Sequence, residues 1–249
     1  MLYPKLRVAT TLWLSGMCGV LVVAFTVIPQ LPAIASGKAP AGAAVAAAIL
    51  QSGIMVLLAA WAGSALARPL GLGAPVLEAV LAGSAAGAWA ALRRQLLPAA
   101  LAGLLTGALL LIIGKAAPAG LAALGRDITI PVAARLLYGG VTEEVLLRWG
   151  VMTGLAWLGW RFLQGKAGPP RAAVIAGAIV GAALLFGALH LPAALSMGAQ
   201  LDATLVGTIV LGNAVPGAVF GFLYWRFGLE AAMMAHALAH VVALAGQAM

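Results

Sequence analysis

The sequence predicts an all-α, polytopic transmembrane helix bundle of about eight spans, organised as a single integral membrane domain over residues 1–249. Two observations predict this class. The chain is 64% hydrophobic and only 8% charged, whereas roughly a quarter of a soluble domain is charged, so a water-facing surface cannot be covered. The apolar residues also run continuously for about twenty residues at a time, as a spanning helix requires, and do not alternate with polar residues as in an outer-membrane barrel.

Eight apolar runs lie between charged or turn-forming residues and are long enough to cross a hydrocarbon core of about 30 Å. The first follows Lys5 and Arg7, and its apolar region is longer than the roughly 7 to 15 residues of a signal peptide, so it is interpreted as a retained span. The predicted spans are approximately 8–28, 42–66, 74–92, 96–114, 131–160, 172–191, 203–225 and 229–247.

The net charge of +8 does not indicate a nucleic-acid partner. The Lys and Arg residues lie at the ends of apolar runs, where membrane proteins keep their anchors. The expected partner is therefore the lipid bilayer, and the expected location is the cell (inner) membrane, as a multi-pass protein. Cys18 is the only cysteine, so neither a disulfide framework nor a Cys-ligated metal site is available.

The orientation of eight spans conflicts with the positive-inside rule. If the N-terminus is cytoplasmic and all eight spans cross, six basic residues fall outside, namely Arg93, Arg94, Arg161, Lys166, Arg171 and Arg226. Either a span is miscounted in the first half or the N-terminus faces outward.

Charged residues inside the span 131–160 mark the place to look for function, because a charge at bilayer depth costs about 2.5 to 3.5 kcal/mol on insertion scales. Glu144 and Arg148 are four apart and share a helix face, so they can form a purely structural ion pair. Glu143 points about 100° away and is not explained by that pair. A second buried carboxylate without its own cation has the character of a general base.

All three histidines of the chain lie in the last predicted spans, as His190, His236 and His240. A single one is most simply a packed histidine donating to a backbone carbonyl. Three of them together with Glu143 favour a functional cluster. His236 and His240 share a helix face, and His190 comes just before Pro192, where the helix is expected to end.

Helix rise gives a depth for each side chain. Measured from the face that carries 161–171, Glu143 lies about 27 Å deep and His190 about 28 Å deep. His236 and His240 come only about 12 to 18 Å deep if their helix begins at Gly228 on that face. Their helix must therefore begin inset or tilt strongly.

These residues resemble the motifs of the CAAX-protease and bacteriocin-processing family of intramembrane proteases. Glu143, Glu144 and Arg148 match its first motif of two glutamates, three residues and an arginine. Phe186 and His190 match its second, an aromatic, three residues and a histidine. The resemblance covers residues 131–245, which it indicates as the catalytic core region.

The third motif departs from the family pattern. The family has a histidine, three residues and then Asn or Asp, whereas this sequence reads His236-Ala-Leu-Ala-His240. Because histidine can also donate or accept a hydrogen bond, His240 can hold the same place with a role that is open.

The resemblance implies an intramembrane endopeptidase that hydrolyses a peptide bond of a membrane-associated peptide or protein, which is lipid-modified for the best-known members. Glu143 would activate a water, with Glu144 and Arg148 positioning it and His190 orienting or binding the water. Two alternatives stay open for the electrophile. A divalent metal such as zinc can be held by His190, His236 and Glu143, or the imidazoles of His236 and His240 can donate directly to the oxyanion without metal.

Two other functions use the same residues. Intramembrane Glu and His also form proton relays and cation sites, so a proton- or cation-coupled transporter is an alternative, although the sequence lacks two related halves with broken helices. A non-proteolytic immunity or scaffold membrane protein that retains the pocket is the other.

Overall fold

The computed structural model describes residues 2–118, 120 and 128–247, and within these ranges it is helical without a strand. Six of the helices are long and apolar enough to cross a membrane. The structure therefore confirms the predicted all-α bundle and an integral, multi-pass membrane protein.

The long helices are joined by short turns of helix. Single turns lie at Ile28–Gln30, Pro32–Ala35 and Arg68–Leu70. The helices are α1 (Leu2–Thr26), α2 (Ala41–Leu66), α3 (Pro75–Leu81), α4 (Ala85–Lys115), α5 (132–163), α6 (Ala172–Ala188), α7 (His190–Ser196), α8 (Ala203–Phe227) and α9 (Leu229–Gln247).

The prediction of two spans at 74–92 and 96–114 is wrong. Residues 75–81 form only the short α3, and α4 is one continuous helix of 31 residues in which Arg93 and Arg94 are exposed. The pair lies about 12 Å from the start of α4, so the apolar stretch that follows it is the part able to cross. The count of eight spans is not confirmed, because the described first half has one crossing fewer than predicted.

Helix α5 is wider than an α-helix over most of its length. Arg135–Glu143 and Val145–Met152 are π-helical, a form that is rare and frequently occurs at functional sites. The hydroxyl of Thr142 donates to the carbonyl of Leu137, five residues back, at 3.1 Å. The sequence analysis had treated this segment as ordinary α-helix.

Helix α5 lies at the centre of the bundle, against α1 and α2. The Thr142 hydroxyl shares its single proton between the carbonyl of Leu137 and the nearer carbonyl of Gly16 in α1, at 2.7 Å, and the indole of Trp149 donates to the carbonyl of Ala60 in α2, at 3.1 Å. Small residues at these contacts let the helices approach closely, as is usual in membrane bundles. The result is a rigid support for the charged residues of α5.

The helical path does not end at residue 191 as predicted. The chain breaks only at Leu189 and continues as α7 to Ser196. Pro192 falls in the first turn of α7, where a missing backbone N–H costs no hydrogen bond. His190 therefore sits at the start of a new helical turn.

Helix α9 begins below a cap formed by residues 73–81. The backbone N–H of Leu229 donates to the carbonyl of Gly73 at 3.0 Å, and the backbone N–H of Leu77 donates to the carboxylate of Glu230 at 2.8 Å. Leu229 is fully buried. The inset start required by the depth argument is thus observed.

The two ends of the bundle differ in charge. At one end, here the cation-rich end, lie the beginning of α1 and the connectors 67–84 and 161–171. Lys5 Nζ reaches the carbonyl of Ala65 there, at 3.4 Å. At the other end, here the cavity end, the side chain of Gln30 accepts from the backbone N–H of Thr129 at 2.8 Å.

Candidate active site

A cavity of about 370 Å³ lies among α1, α5, α6, α7, α8 and α9. Glu143, His190, His236 and His240 all line it. The structure therefore brings together four of the six predicted site residues at one cavity wall, and Glu144 and Arg148 lie directly behind them. Its lining toward the cavity end of the bundle, here called the rim, includes the apolar side chains of Ile28, Leu31, Ile130 and Met197.

Two adjacent glycines allow α9 to approach α5 at this point. A Cβ atom on Gly139 would lie 2.5 Å from Nε2 of His240, and one on Gly140 would lie 3.0 Å from the Cβ of Ala237. Real Cβ atoms are rarely that close to a neighbour. Gly139 and Gly140 are therefore what lets the imidazoles of α9 reach the carboxylates of α5.

Behind the cavity lies a buried network around Glu144. Oε1 of Glu144 lies 3.0 Å from Nη1 of Arg148, and Nδ1 of His236 donates to the same oxygen at 2.7 Å. Nη2 of Arg148 donates to the carbonyl of Gly217 at 2.8 Å, and its guanidinium lies 5.0 Å from the ring centre of Phe186. The predicted Glu144–Arg148 ion pair is present, and it also fixes α5 to α8 and α9.

Glu143 faces the cavity and not this network. Its side chain is 17% exposed, whereas that of Glu144 is fully buried. Oε2 of Glu143 lies 3.9 Å from Nε2 of His236, which is too long for a direct hydrogen bond and is a separation at which a bridging water is expected. The adjacent carboxylates thus lie in two different environments, Glu144 in the buried network and Glu143 at the cavity, as the sequence predicted.

His236 is held rigidly between the two glutamates. Its ring stacks on Phe220 at 4.6 Å and on His240 at 4.9 Å between ring centres. Because Glu144 accepts from Nδ1, the neutral ring carries its proton on Nδ1 and presents a lone pair at Nε2 toward Glu143. Glu144 thereby selects the tautomer of His236 as well as neutralising Arg148.

The neutral ring of His190 also carries its proton on Nδ1, but here the acceptor is a backbone carbonyl. Its Nδ1 donates to the carbonyl of Phe186 at 2.8 Å, and its ring meets the edge of the Phe186 ring with 4.8 Å between centres. The hydrogen bond to a carbonyl was the plain structural explanation for a lone histidine. His190 makes that bond and lines the cavity with the rest of its ring.

Four polar side chains of the cavity were not predicted from the sequence. Arg135, Tyr138, Ser196 and Asn213 all line it. Asn213 donates one N–H to the carbonyl of Ile209 at 2.8 Å, which leaves its second N–H for other acceptors. The signal that could have found Asn213 and Arg135 is the one that found Glu144, a strongly polar residue inside an apolar span.

The described residues do not present a metal site. Among them, no group of three or more His, Cys, Asp or Glu side chains is arranged to hold an ion. Nδ1 of both His190 and His236 donates within the protein, which leaves Nε2 of each ring as the nitrogen able to bind an ion, and Oε2 of Glu143 lies 3.9 Å from Nε2 of His236. The described residues therefore do not form a preassembled ion site, and a metal held by His190, His236 and Glu143 stays a prediction.

A glutamate and imidazoles gathered at an internal cavity of a membrane-embedded helical bundle mark a functional site. The second half of the chain is similar to one family model. Residues 125–242 match the family model Rce1-like, described as type II CAAX prenyl endopeptidase Rce1-like. The match is consistent with the CAAX-protease and bacteriocin-processing family of membrane proteases and confirms the resemblance seen in the sequence.

That family match supports a protease that acts on a protein substrate at the membrane. No curated protein and no solved structure matches the chain significantly.

Proposed function

We propose that this protein is an intramembrane endopeptidase of the cell (inner) membrane, in which Glu143 activates a water molecule to attack a peptide carbonyl. The observation that carries the proposal is the pair formed by Oε2 of Glu143 and Nε2 of His236, 3.9 Å apart at the cavity wall. One water can hydrogen-bond to both atoms at about 2.8 Å.

In the first step Glu143 takes a proton from that water, and the oxygen attacks the carbonyl carbon of the substrate. The lone pair of Nε2 on His236 orients the water and accepts its second proton in a hydrogen bond. Protonated Glu143 then gives its proton to the nitrogen of the departing amine, and the C–N bond breaks. Glu143 is thus the base and the acid in turn.

The developing oxyanion needs hydrogen-bond donors in the cavity. The second N–H of Asn213 and the hydroxyl of Tyr138 line the same cavity and are neutral donors. His240, stacked on His236, is the third candidate. No metal ion takes part in these proposed steps.

The buried Glu144–Arg148 network would act as positioning machinery. It sets the tautomer of His236 and holds α5, α8 and α9 in register. The apolar rim suits an apolar or lipid-modified peptide better than a charged one.

The experiment uses purified protein in detergent and a quenched-fluorescent peptide library, with each peptide also made with an S-farnesylated C-terminal cysteine. Glu143→Gln, His190→Ala and His236→Ala are expected to abolish cleavage while the proteins remain folded. Asp202→Asn is the matched control, because it makes the same carboxylate-to-amide change at the N-cap of α8, where Asn caps equally well. Cleavage retained by Glu143→Gln refutes the mechanism, and a wild-type protein that cleaves no library member contradicts the endopeptidase function.

A further inference from the structure

Nine basic side chains belong to the cation-rich end of the bundle. They lie at the start of α1, just after α2, in the first turns of α4, around the connector after α5, and at the end of α8. In that order they are Lys5 and Arg7, Arg68, Arg93 and Arg94, Arg161, Lys166 and Arg171, and Arg226. The described residues of the cavity end carry only Lys38, Lys115 and Arg135.

Direct contacts place these segments at one end. The indole of Trp149 in α5 bonds to the carbonyl of Ala60 in α2, and the next turn of α5, Thr153–Leu158, contacts Arg68–Leu70 just after α2, so α5 and α2 run toward the same end. Leu229 bonds to Gly73, which brings the connector after α8 to the same place. The opposite end of α9 lies by the last turns of α4, since a Cβ on Gly246 would meet the side chain of Leu111.

Short cytoplasmic connectors of membrane proteins are enriched in Lys and Arg. We infer that the cation-rich end is cytoplasmic, and that the cavity with Glu143 and His236 therefore opens on the extracytoplasmic side. The conflict between eight spans and the positive-inside rule disappears. Residues 75–115 cross the membrane once, through α4, and not twice, so the later basic connectors fall on the same side as the N-terminus.

The inference rests on the proposed function and narrows its substrate. The rim residues Ile28, Leu31, Ile130 and Met197 lie at the cavity end, so a peptide bond is expected to reach Glu143 from that end. The substrate is then a segment held at the outer leaflet or exported across the membrane, with apolar groups against that rim. A peptide tethered to the cytoplasmic leaflet faces the opposite, cation-rich end.

Cysteine accessibility tests the orientation directly. In a Cys18→Ala background, single cysteines are placed at exposed positions of the cavity end (Ser196→Cys and Ser36→Cys) and of the cation-rich end (Ala167→Cys and Ala85→Cys). A membrane-impermeant maleimide is applied to spheroplasts of a bacterial expression host, before and after permeabilisation.

Labelling of the Ser196 and Ser36 variants in sealed spheroplasts, with at least ten-fold less labelling of the Ala167 and Ala85 variants until permeabilisation, is the expected result. The reverse pattern, or equal labelling of both ends, overturns the inference. Cleavage assayed on the same variants separates the two claims. Reversed labelling with Glu143-dependent cleavage removes only the orientation, whereas the expected labelling without any cleavage removes only the enzyme function.

A second cavity, of about 490 Å³, carries an independent inference at the cation-rich end. Its wall combines the basic side chains of Lys5, Arg7 and Arg68 with the single carboxylate of Glu78, which accepts from the backbone N–H of Ala74 at 3.0 Å. Its deeper lining includes the apolar side chains of Val8, Leu72, Leu81 and Trp149.

Ser64 also lines this cavity and supplies the second observation. The residue is 9% exposed, and its hydroxyl has no hydrogen-bond partner among the described residues. A serine inside a helix usually bonds to the carbonyl four residues back, and a buried hydroxyl without a partner is costly. An oxygen-rich ligand in the cavity would accept this donor.

We propose that this cavity binds a phosphate-bearing anion, supplied by the headgroup of an anionic phospholipid. Basic pockets between transmembrane helices bind such headgroups, and charge-assisted bonds from Lys and Arg to phosphate are strong. The apolar lining is suited to the first carbons of an acyl chain, which a free phosphate lacks.

The test measures the Tm of the purified protein in detergent with added phosphatidylglycerol, phosphatidylcholine or soluble glycerol phosphate. Phosphatidylglycerol is expected to raise the Tm of wild type by several degrees, and the double variant Lys5→Gln/Arg68→Gln should lose that rise. Arg93→Gln/Arg94→Gln removes the same charge at the same end and should keep it. An equal rise with glycerol phosphate assigns the site to a soluble anion and overturns the lipid source; no rise with either, or a rise kept by the Lys5/Arg68 variant, overturns the site.

Discussion

Replacement of Arg148 by methionine tests the buried network most sharply. Glu144 is fully buried. Among the described residues, its ion-pair partners within 4.0 Å are the guanidinium of Arg148 and the imidazole of His236, which is neutral in the proposed mechanism. Removing one partner of a buried ion pair leaves the other charge uncompensated and costs about 3 to 5 kcal/mol. The bond from Nη2 to the carbonyl of Gly217, at 2.8 Å, is lost as well, and a bond to a charged donor contributes about 1.5 to 3 kcal/mol.

These two contributions overlap, because both follow from loss of one guanidinium, so we expect a total near 4 kcal/mol. Unfolding in mixed micelles with increasing SDS measures it. Arg161→Met is the matched control, since Arg161 is exposed on the same helix and should change the free energy of unfolding by less than about 0.5 kcal/mol.

The double variant Glu144→Gln/Arg148→Met removes the orphaned charge and should be more stable than Arg148→Met alone, which gives a coupling energy between the two residues of about 1 to 3 kcal/mol. An Arg148→Met protein within 1 kcal/mol of wild type, or a double variant that simply adds the two losses, would refute the network.

Three further predictions concern the cavity. Gly139→Ala places a Cβ 2.5 Å from Nε2 of His240, which should push α9 away from α5 and lower kcat at least about ten-fold. The control is Gly177→Ala, on open helix surface, which should leave kcat unchanged. Equal kcat values for the two variants would contradict the close approach of α9 to α5. His240→Asn restores the residue found in the family's third motif and should keep cleavage, while His240→Ala should lose it, and the opposite order would mean that His240 has a role of its own. Dialysis against a zinc chelator should leave cleavage unchanged, and activity that disappears and returns with added zinc would replace the water-activation steps by a metal-dependent reaction.

The local part of the site was predictable because it depends on spacing within one helix. Glu144 and Arg148 are four residues apart, so any helical geometry pairs them, and Glu143 then faces elsewhere. The identity of the imidazoles followed from their rarity at membrane depth. The predicted family segment, 131–245, also agrees closely with the matched residues 125–242.

Contacts between distant segments were not predictable in the same way. The cap over the start of α9 depends on Gly73 meeting Leu229, a pairing that no periodicity reveals. The π-helical turns of α5 follow no periodicity that the sequence shows, and the hydrogen bond from Thr142 within them goes to Gly16 of α1, a distant part of the chain. The prediction at 74–92 was wrong because an apolar run of adequate length was assumed to cross the membrane. In the structure the helix continues past residue 92, with Arg93 and Arg94 inside α4.

A single experimental structure with ordered water tests the central claim most directly. The predicted result is one water within about 2.6 to 3.2 Å of both Oε2 of Glu143 and Nε2 of His236, in a cavity open to solvent. A Glu143 side chain turned toward lipid, or bonded directly to His236 with no room for water, would contradict it.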